Sequence, residues 1–146
     1  MILDERTEFC DATSLNTGAA ADYVIGDSID LGLAARDIGN GDGLWFVVTV
    51  DTTATSGGAA TLAVSLATDD NSSLSSATKI VTSPVIAVAS LTAGTNVFTV
   101  KVPSATYERF IGIVQTTGTA AFTAGKINAF LTNDIAKWKP YADAVA

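Results

Sequence analysis

The chain contains no histidine and a single cysteine, Cys10. Those two facts remove most of the chemistry open to a domain this size. Without an imidazole there is no neutral-pH base for a Ser-His-Asp or Cys-His nucleophile, and no histidine-bearing zinc site. One cysteine makes neither an intrachain disulfide nor a thiolate cluster, so Cys10 reads as a small buried apolar residue. Carboxylates remain. In the run Asp37-Ile-Gly-Asn-Gly-Asp-Gly43, the side chains of Asp37, Asn40 and Asp42 offer oxygens to calcium. An EF-hand loop, however, wants acceptors at its third and fifth positions, which here are Gly39 and Gly41. A phosphate cradle wants a following lysine where Leu44 and Trp45 stand. Asn40-Gly41 is instead the signature of a tight turn leading into a strand.

Asp69 and Asp70 are adjacent, so in extended chain they project to opposite faces. A glycosidase pair must flank one bond at roughly 5–10 Å. These two read as a solvated turn. Tyr107-Glu-Arg109 beside Phe110 places a base at a strand start, for either an interface contact or a cross-strand ion pair. The terminal segments are richer. Lys137-Trp-Lys-Pro-Tyr141 carries aromatics where no strand pattern runs. Such a segment must either fold back on the domain or anchor in a neighbour, and its lysines suit an acidic or cation–π partner. Ile2, Leu3 and Phe9, set among charges, face the same choice. Ile2, Leu3, Phe9, Lys137, Trp138, Lys139 and Tyr141 are therefore the candidate partner-contact residues.

The elements that position these residues read as strands. Thr61–Ala67 alternates Leu62, Val64 and Leu66 with small or polar residues, the pattern of a half-buried strand. Val97–Val102 and Lys126–Thr132 alternate similarly, with Phe130 on the outer face. Leu44–Val50 and Phe110–Val114 are apolar on both faces, as strands covered on two sides would be. Weaker candidates are 23–25, 28–31, 78–81 and 85–88. Gly, Asn and Asp turn signals separate them, and no helical stripe survives; Pro140 limits any turn near the end. About eight strands in one domain predict an antiparallel sandwich, jelly-roll or immunoglobulin-like, and the latter's Cys-Trp-Cys spacing is absent. The expected organisation is an N-terminal arm over 1–22, a β-sandwich over 23–133 and a C-terminal tail over 134–146.

Composition points outward from the domain. Of 146 residues 16% are charged and 48% apolar, with a net charge of −7; soluble domains usually carry about 25% charged residues. No apolar run approaches the ~20 residues of a membrane helix. Such a sparsely charged surface predicts cover by other copies or a partner. The acidic balance argues against nucleic acid, whose phosphates need a basic patch. Acidic residues among the first nine stand where a signal peptide needs a cationic and then an apolar run. A product made and kept, or assembled, in the cytoplasm is expected.

Several blocks, taken together and in order, resemble a known family. They are Met1-Ile-Leu-Asp4, Asp30-Leu-Gly32 followed by Ala35–Gly41, Ser56–Leu62, Ala67–Asn71 and Thr123–Leu131. In these the chain is similar to the capsid cement (decoration) proteins of short-tailed, double-stranded-DNA bacteriophages. The resemblance implies a jelly-roll-like sandwich, no catalysis, no cofactor and no metal. It also implies residence on the outer surface of the virion, after synthesis in the bacterial host's cytoplasm. Its partners would be the phage major capsid protein and further copies of itself, as homodimer or homotrimer, with no nucleic acid or membrane. Gly112 departs from the pattern, falling in a strand where larger residues are expected. The alternative from another class is a carbohydrate-binding β-sandwich module of a phage tail or fibre.

Overall fold

β-branched and aromatic residues with period two, broken by Gly, Asn and Pro, leave the chain little but strands to form. The computed structural model describes residues 4–32, 37–41 and 43–133. Over these the protein is all-β. The strands are β1 (Glu8–Ser14), β2 (Asp22–Asp30), β3 (Trp45–Ser56), β4 (Thr61–Asp69), β5 (Thr78–Thr82), β6 (Ile86–Ala87), β7 (Asn96–Lys101), β8 (Phe110–Gly118) and β9 (Phe122–Thr132). Single 3₁₀ turns cover Glu5–Thr7 and Val88–Ser90. One sheet runs β1-β9-β3-β7 and the other β2-β8-β4-β5, with the short β6 also on β4 and every pair antiparallel. Apart from β4, β5 and β6, which share a sheet, consecutive strands cross between the sheets in the order of a jelly roll's two Greek keys.

The inner faces follow from alternation. Phe46, Val48 and Val50 on β3 and Ile127, Ala129 and Leu131 on β9 face Leu62, Val64 and Leu66 on β4 and Ile111 and Ile113 on β8. The Phe46 ring takes Phe9 and Phe98 edge-on, with centroids 6.1 and 6.2 Å away, the geometry that ring quadrupoles favour. Val47 and Phe130 pair on the opposite face and are buried too, as two-sided covering requires.

Three expectations need correction. The stretch 1–22 is not all arm: β1 pairs with β9, and Phe9 and Cys10 are each 2% exposed. Alternation missed β1 because its ladder shifts register twice and Ala12 sits at φ 46°. The candidates 23–25 and 28–31 are one strand, β2, kinked at Gly26 (φ 70°), where a Cβ would strike the Phe9 carbonyl and the Cys10 sulfur. That close approach seals β1 against β2 along one flank. The expected half-buried strand at 61–67 is buried on both faces as β4. Its outer side consists of Ala63, Ser65 and Ala67, low enough that neighbouring side chains close over them.

Gly112 has its reason in the same outer surface. A Cβ there would collide with Leu74, whose side chain lies back over the sheet from the β4–β5 loop and is 3% exposed. To reach it, Leu74 adopts φ 53°, a left-handed conformation uncommon outside glycine. Its N–H donates to the Asn71 carbonyl, closing the turn. Replacing Leu74 with Ala should cost about 2–3 kcal/mol through the vacated volume. Gly112→Ala should cost about 1–3 kcal/mol by overpacking. The double variant should cost less than the sum by at least about 0.5 kcal/mol, because the shortened side chain at position 74 no longer meets the new methyl. Urea titrations of the four proteins read this directly; strict additivity would mean the two positions do not touch.

Candidate interaction surface

The topology gives the sandwich two unlike ends. At one end lie the 3₁₀ turn at 5–7, the β4–β5 loop, the β7–β8 connection and the close of β2 and β9. There stand Asp4, Glu5, Glu8, Asp30, Asp37, Asp69, Asp70 and Glu108. At the other end are the connections 15–21, 57–60, 88–95 and 119–121, which contain no Asp, Glu, Lys or Arg. Charge is also uneven along the chain: residues 71–107 hold no carboxylate, only Lys79 and Lys101. Lys79 is engaged, reaching over the small outer residues of β4 to Asp22 at 2.8 Å and Thr116 at 3.1 Å. The β5–β6–β7 flank thus carries no acidic residue of its own.

At the acidic end the carboxylates tie loops. Asp37 accepts from the Ser104 hydroxyl and from the N–H groups of Gly39 and Ala105, joining the glycine-rich turn to the β7–β8 connection. Gly39 is required there, since a Cβ would run into the Pro103 carbonyl. Asp69, expected in a solvated turn, is instead 1% exposed. It accepts from the Ser76 N–H at 2.8 Å, the Ser76 hydroxyl at 3.1 Å and the Asn71 N–H at 3.3 Å. Arg109 forms the cross-strand pair, a bidentate grip on Asp30 at 3.0 and 2.9 Å, with its guanidinium 5.1 Å from the Phe110 ring centre. These contacts hold the carboxyls of Asp69, Asp37 and Asp22 below their usual range: the Ser76 N–H first for Asp69, the Ser104 hydroxyl for Asp37, the Lys79 ammonium for Asp22. Arg109 takes Asp30 down to about 2. Burial pushes the Cys10 thiol up to about 12, which fits a packing residue rather than a nucleophile.

The uncharged end is held by neutral hydrogen bonds. Gln115, fully buried, accepts from the Asn16 N–H at 2.8 Å and donates to the Asn16 carbonyl at 3.1 Å, mimicking a strand neighbour for the β1–β2 connection. The Ser56 hydroxyl donates to the Ala121 carbonyl and accepts from the Gly58 N–H, joining two loops. Thr53 accepts from the Ala93 N–H, and the Leu91 carbonyl accepts from Ala54. Open hollows among the described residues include one of about 480 Å³ beside Asp22, Val24, Leu74 and Lys79, and one of about 440 Å³ beside Asp37, Ser104 and Tyr107. Among the described residues no three Cys, Asp or Glu side chains are grouped to hold a metal.

Of the candidate contact residues, Phe9 is withdrawn, because its ring is committed to the core. Ile2, Leu3, Lys137, Trp138, Lys139 and Tyr141 lie outside the described residues. Motif reading passed over the acid-free flank, whose signal is an absence in the composition of 71–107 rather than any residue that draws the eye.

A family model described as Bbp16 matches residues 9–131, and the family is a phage-associated one. No curated protein matches the chain.

The carboxylate ties set an acid dependence. Each has a folded pKa below its unfolded value, so its contribution is whole above about pH 4 and is lost as pH falls through the folded value, near 2 for Asp30. The melting temperature should hold between pH 7 and 5 and fall below 4. Asp69→Asn should lower it at pH 7 while shrinking the drop between pH 5 and 3. A variant that keeps the full acid drop would show that Asp69 does not carry it.

Proposed function

The chain belongs to the Bbp16 family, and from that premise we propose that it is a non-enzymatic structural protein of the virion, a capsid cement protein. It binds the outside of the phage head and bridges major capsid protein subunits against the pressure of packaged DNA. The observation carrying this reading is that a phage-associated family spans nearly the whole sandwich, from β1 to β9. The division of the surface supports it. Uncharged loops cost little to desolvate, so the end built from 15–21, 57–60, 88–95 and 119–121 suits a shell surface. The acidic end then faces solvent, where it repels other particles and free DNA.

Loops fixed by Gln115, Ser56 and Thr53 lose little entropy on docking. Copies repeated around the shell's symmetry axes multiply a modest contact by avidity. The tail residues Lys137, Trp138, Lys139 and Tyr141 follow β9 in the chain, and β9 finishes at the acidic end, so they suit a lateral neighbour's carboxylates.

Purified protein mixed with heads lacking it should co-sediment with them and raise the temperature at which they release DNA. Ala59→Glu, a charge on an exposed site of the uncharged end, should cut occupancy at least tenfold; removal of residues 138–146 should lower it less. Failure of the full chain to add to such heads at any salt concentration would sink the reading.

A further inference from the structure

We propose that the outer face of the β2-β8-β4-β5 sheet carries a binding site for a short neutral glycan, in the hollow bordered by the Leu74 loop and the Lys79–Asp22 bridge. The sheet itself makes the hollow. Since Leu62, Val64, Leu66, Ile111 and Ile113 point into the core, alternation leaves Ala63, Ser65 and Ala67 of β4 and Gly112, Val114 and Thr116 of β8 on the outer face. Two features border this low floor. One is the β4–β5 loop, whose Leu74 lies over Gly112. The other is Lys79, which reaches from β5 across β4 and β8 to Asp22 on β2, at 2.8 Å. The space between, about 480 Å³, falls within the roughly 300–1,000 Å³ of small-molecule sites.

The lining sorts into an apolar platform and a polar border. Val24, 44% exposed, stands opposite Val114 and with Leu74 offers hydrocarbon to the C–H face of a sugar ring. At the border, Asp22 keeps lone pairs beyond those taken by Lys79 and Thr116, and Lys79 keeps a third proton beyond those given to Asp22 and Thr116. The exposed Ser75 hydroxyl has no protein partner among the described residues. Charge then selects the ligand. Lys79 and Asp22 neutralise each other, so neither an anion nor a cation gains net attraction, and a single carboxylate does not make a metal site. The backbones of β8 and β4 are paired on both sides, which leaves a peptide strand no ladder to join on this floor. A ring bearing several hydroxyls needs a donor and an acceptor side by side, and the ion pair supplies both. An open hollow grips one face of such a ring, so each site binds weakly; repetition over a shell would add the sites by avidity, a step that rests on the cement reading as the site itself does not.

The test is amide NMR of the full chain titrated with maltose, lactose, cellobiose and chitobiose, each to its solubility. At least one should give saturable shifts centred on Asp22–Val24, Ser73–Lys79 and Val114–Thr116. Val24→Asp, at an exposed site, should weaken that binding at least about fivefold with the rest of the spectrum unchanged. Asp22→Asn leaves Lys79 without its counter-charge, and should weaken the sugar similarly while admitting inorganic phosphate. Val85→Asp, exposed but remote between β5 and β6, should bind as the wild type does. Saturation by none of the four sugars, shifts centred elsewhere, tighter binding of phosphate than of sugar by the wild type, or wild-type affinity in both Val24→Asp and Asp22→Asn overturns the inference. The titration needs no phage heads, so its outcome and that of head binding are read independently.

Discussion

The register of β3 on β9 is the constraint on which the rest depends. It runs from Trp45 opposite Thr132 to Ser56 opposite Phe122, the longest pairing in the molecule. Because side chains alternate strictly, a slip of one residue would move Phe46, Val48, Ile127 and Leu131 out of the core together. With that pair fixed, β1 and β7 have only the two outer edges of their sheet to occupy, and the crossovers to β2, β4 and β8 build the opposing layer. Fully buried apolar side chains contribute about 1.5–3 kcal/mol each, and with few ion pairs among the described residues the fold draws its stability from them. The two salt bridges among the described residues, Lys79–Asp22 and Arg109–Asp30, are half exposed and lie outside the core. They orient loops and edges more than they stabilise the whole.

How much of this the residues announce depends on whether period two survives locally. β4, β7 and β9 keep it long enough for their patterns to be read, and β3 and β8 announce themselves as apolar runs instead, although β9 begins four residues before its clearest stretch and β3 runs six past Val50. β1 lost it to two register shifts, and β2 was divided by the kink at Gly26. Long-range partners were invisible for a different reason. Gly112 is intelligible only beside Leu74, and the buried Asp69 only beside Ser76. Nothing near each in sequence names its partner. Of the contact surface, Phe9 misled: a large aromatic flanked by charges has the look of an exposed anchor until β1 is seen to be part of the sheet.

Charge placement follows from topology as much as from composition. A jelly roll sends alternate connections to opposite ends, so a sequence need only place its acids in alternate loops to polarise the whole domain. Here the β4–β5 and β7–β8 connections carry Asp70 and Glu108, while the β3–β4 and β8–β9 connections are built from Gly, Ala and Thr. At the acidic end Asp37, Asp69 and Asp30 are consumed in local ties, so the charge that excludes neighbours also holds the loops in shape.

Rigidity and stickiness pull against each other in such a design. Uncharged loops made from small residues are cheap to desolvate but have little side-chain substance to pack themselves, and left alone they would be mobile and bind at an entropic cost. The chain meets this from beneath. Gln115 spends a buried amide on the backbone of Asn16, and Ser56 bridges Gly58 to Ala121. Leu91, fully buried, pins the β6–β7 connection to Ala54. These polar groups are turned onto the loops' own backbone, while the methyls of Ala19, Ala20, Ala59 and Ala93 are exposed. A surface made this way has already lost the freedom that docking would otherwise take from it, so even weak contacts, repeated across many copies, suffice to hold.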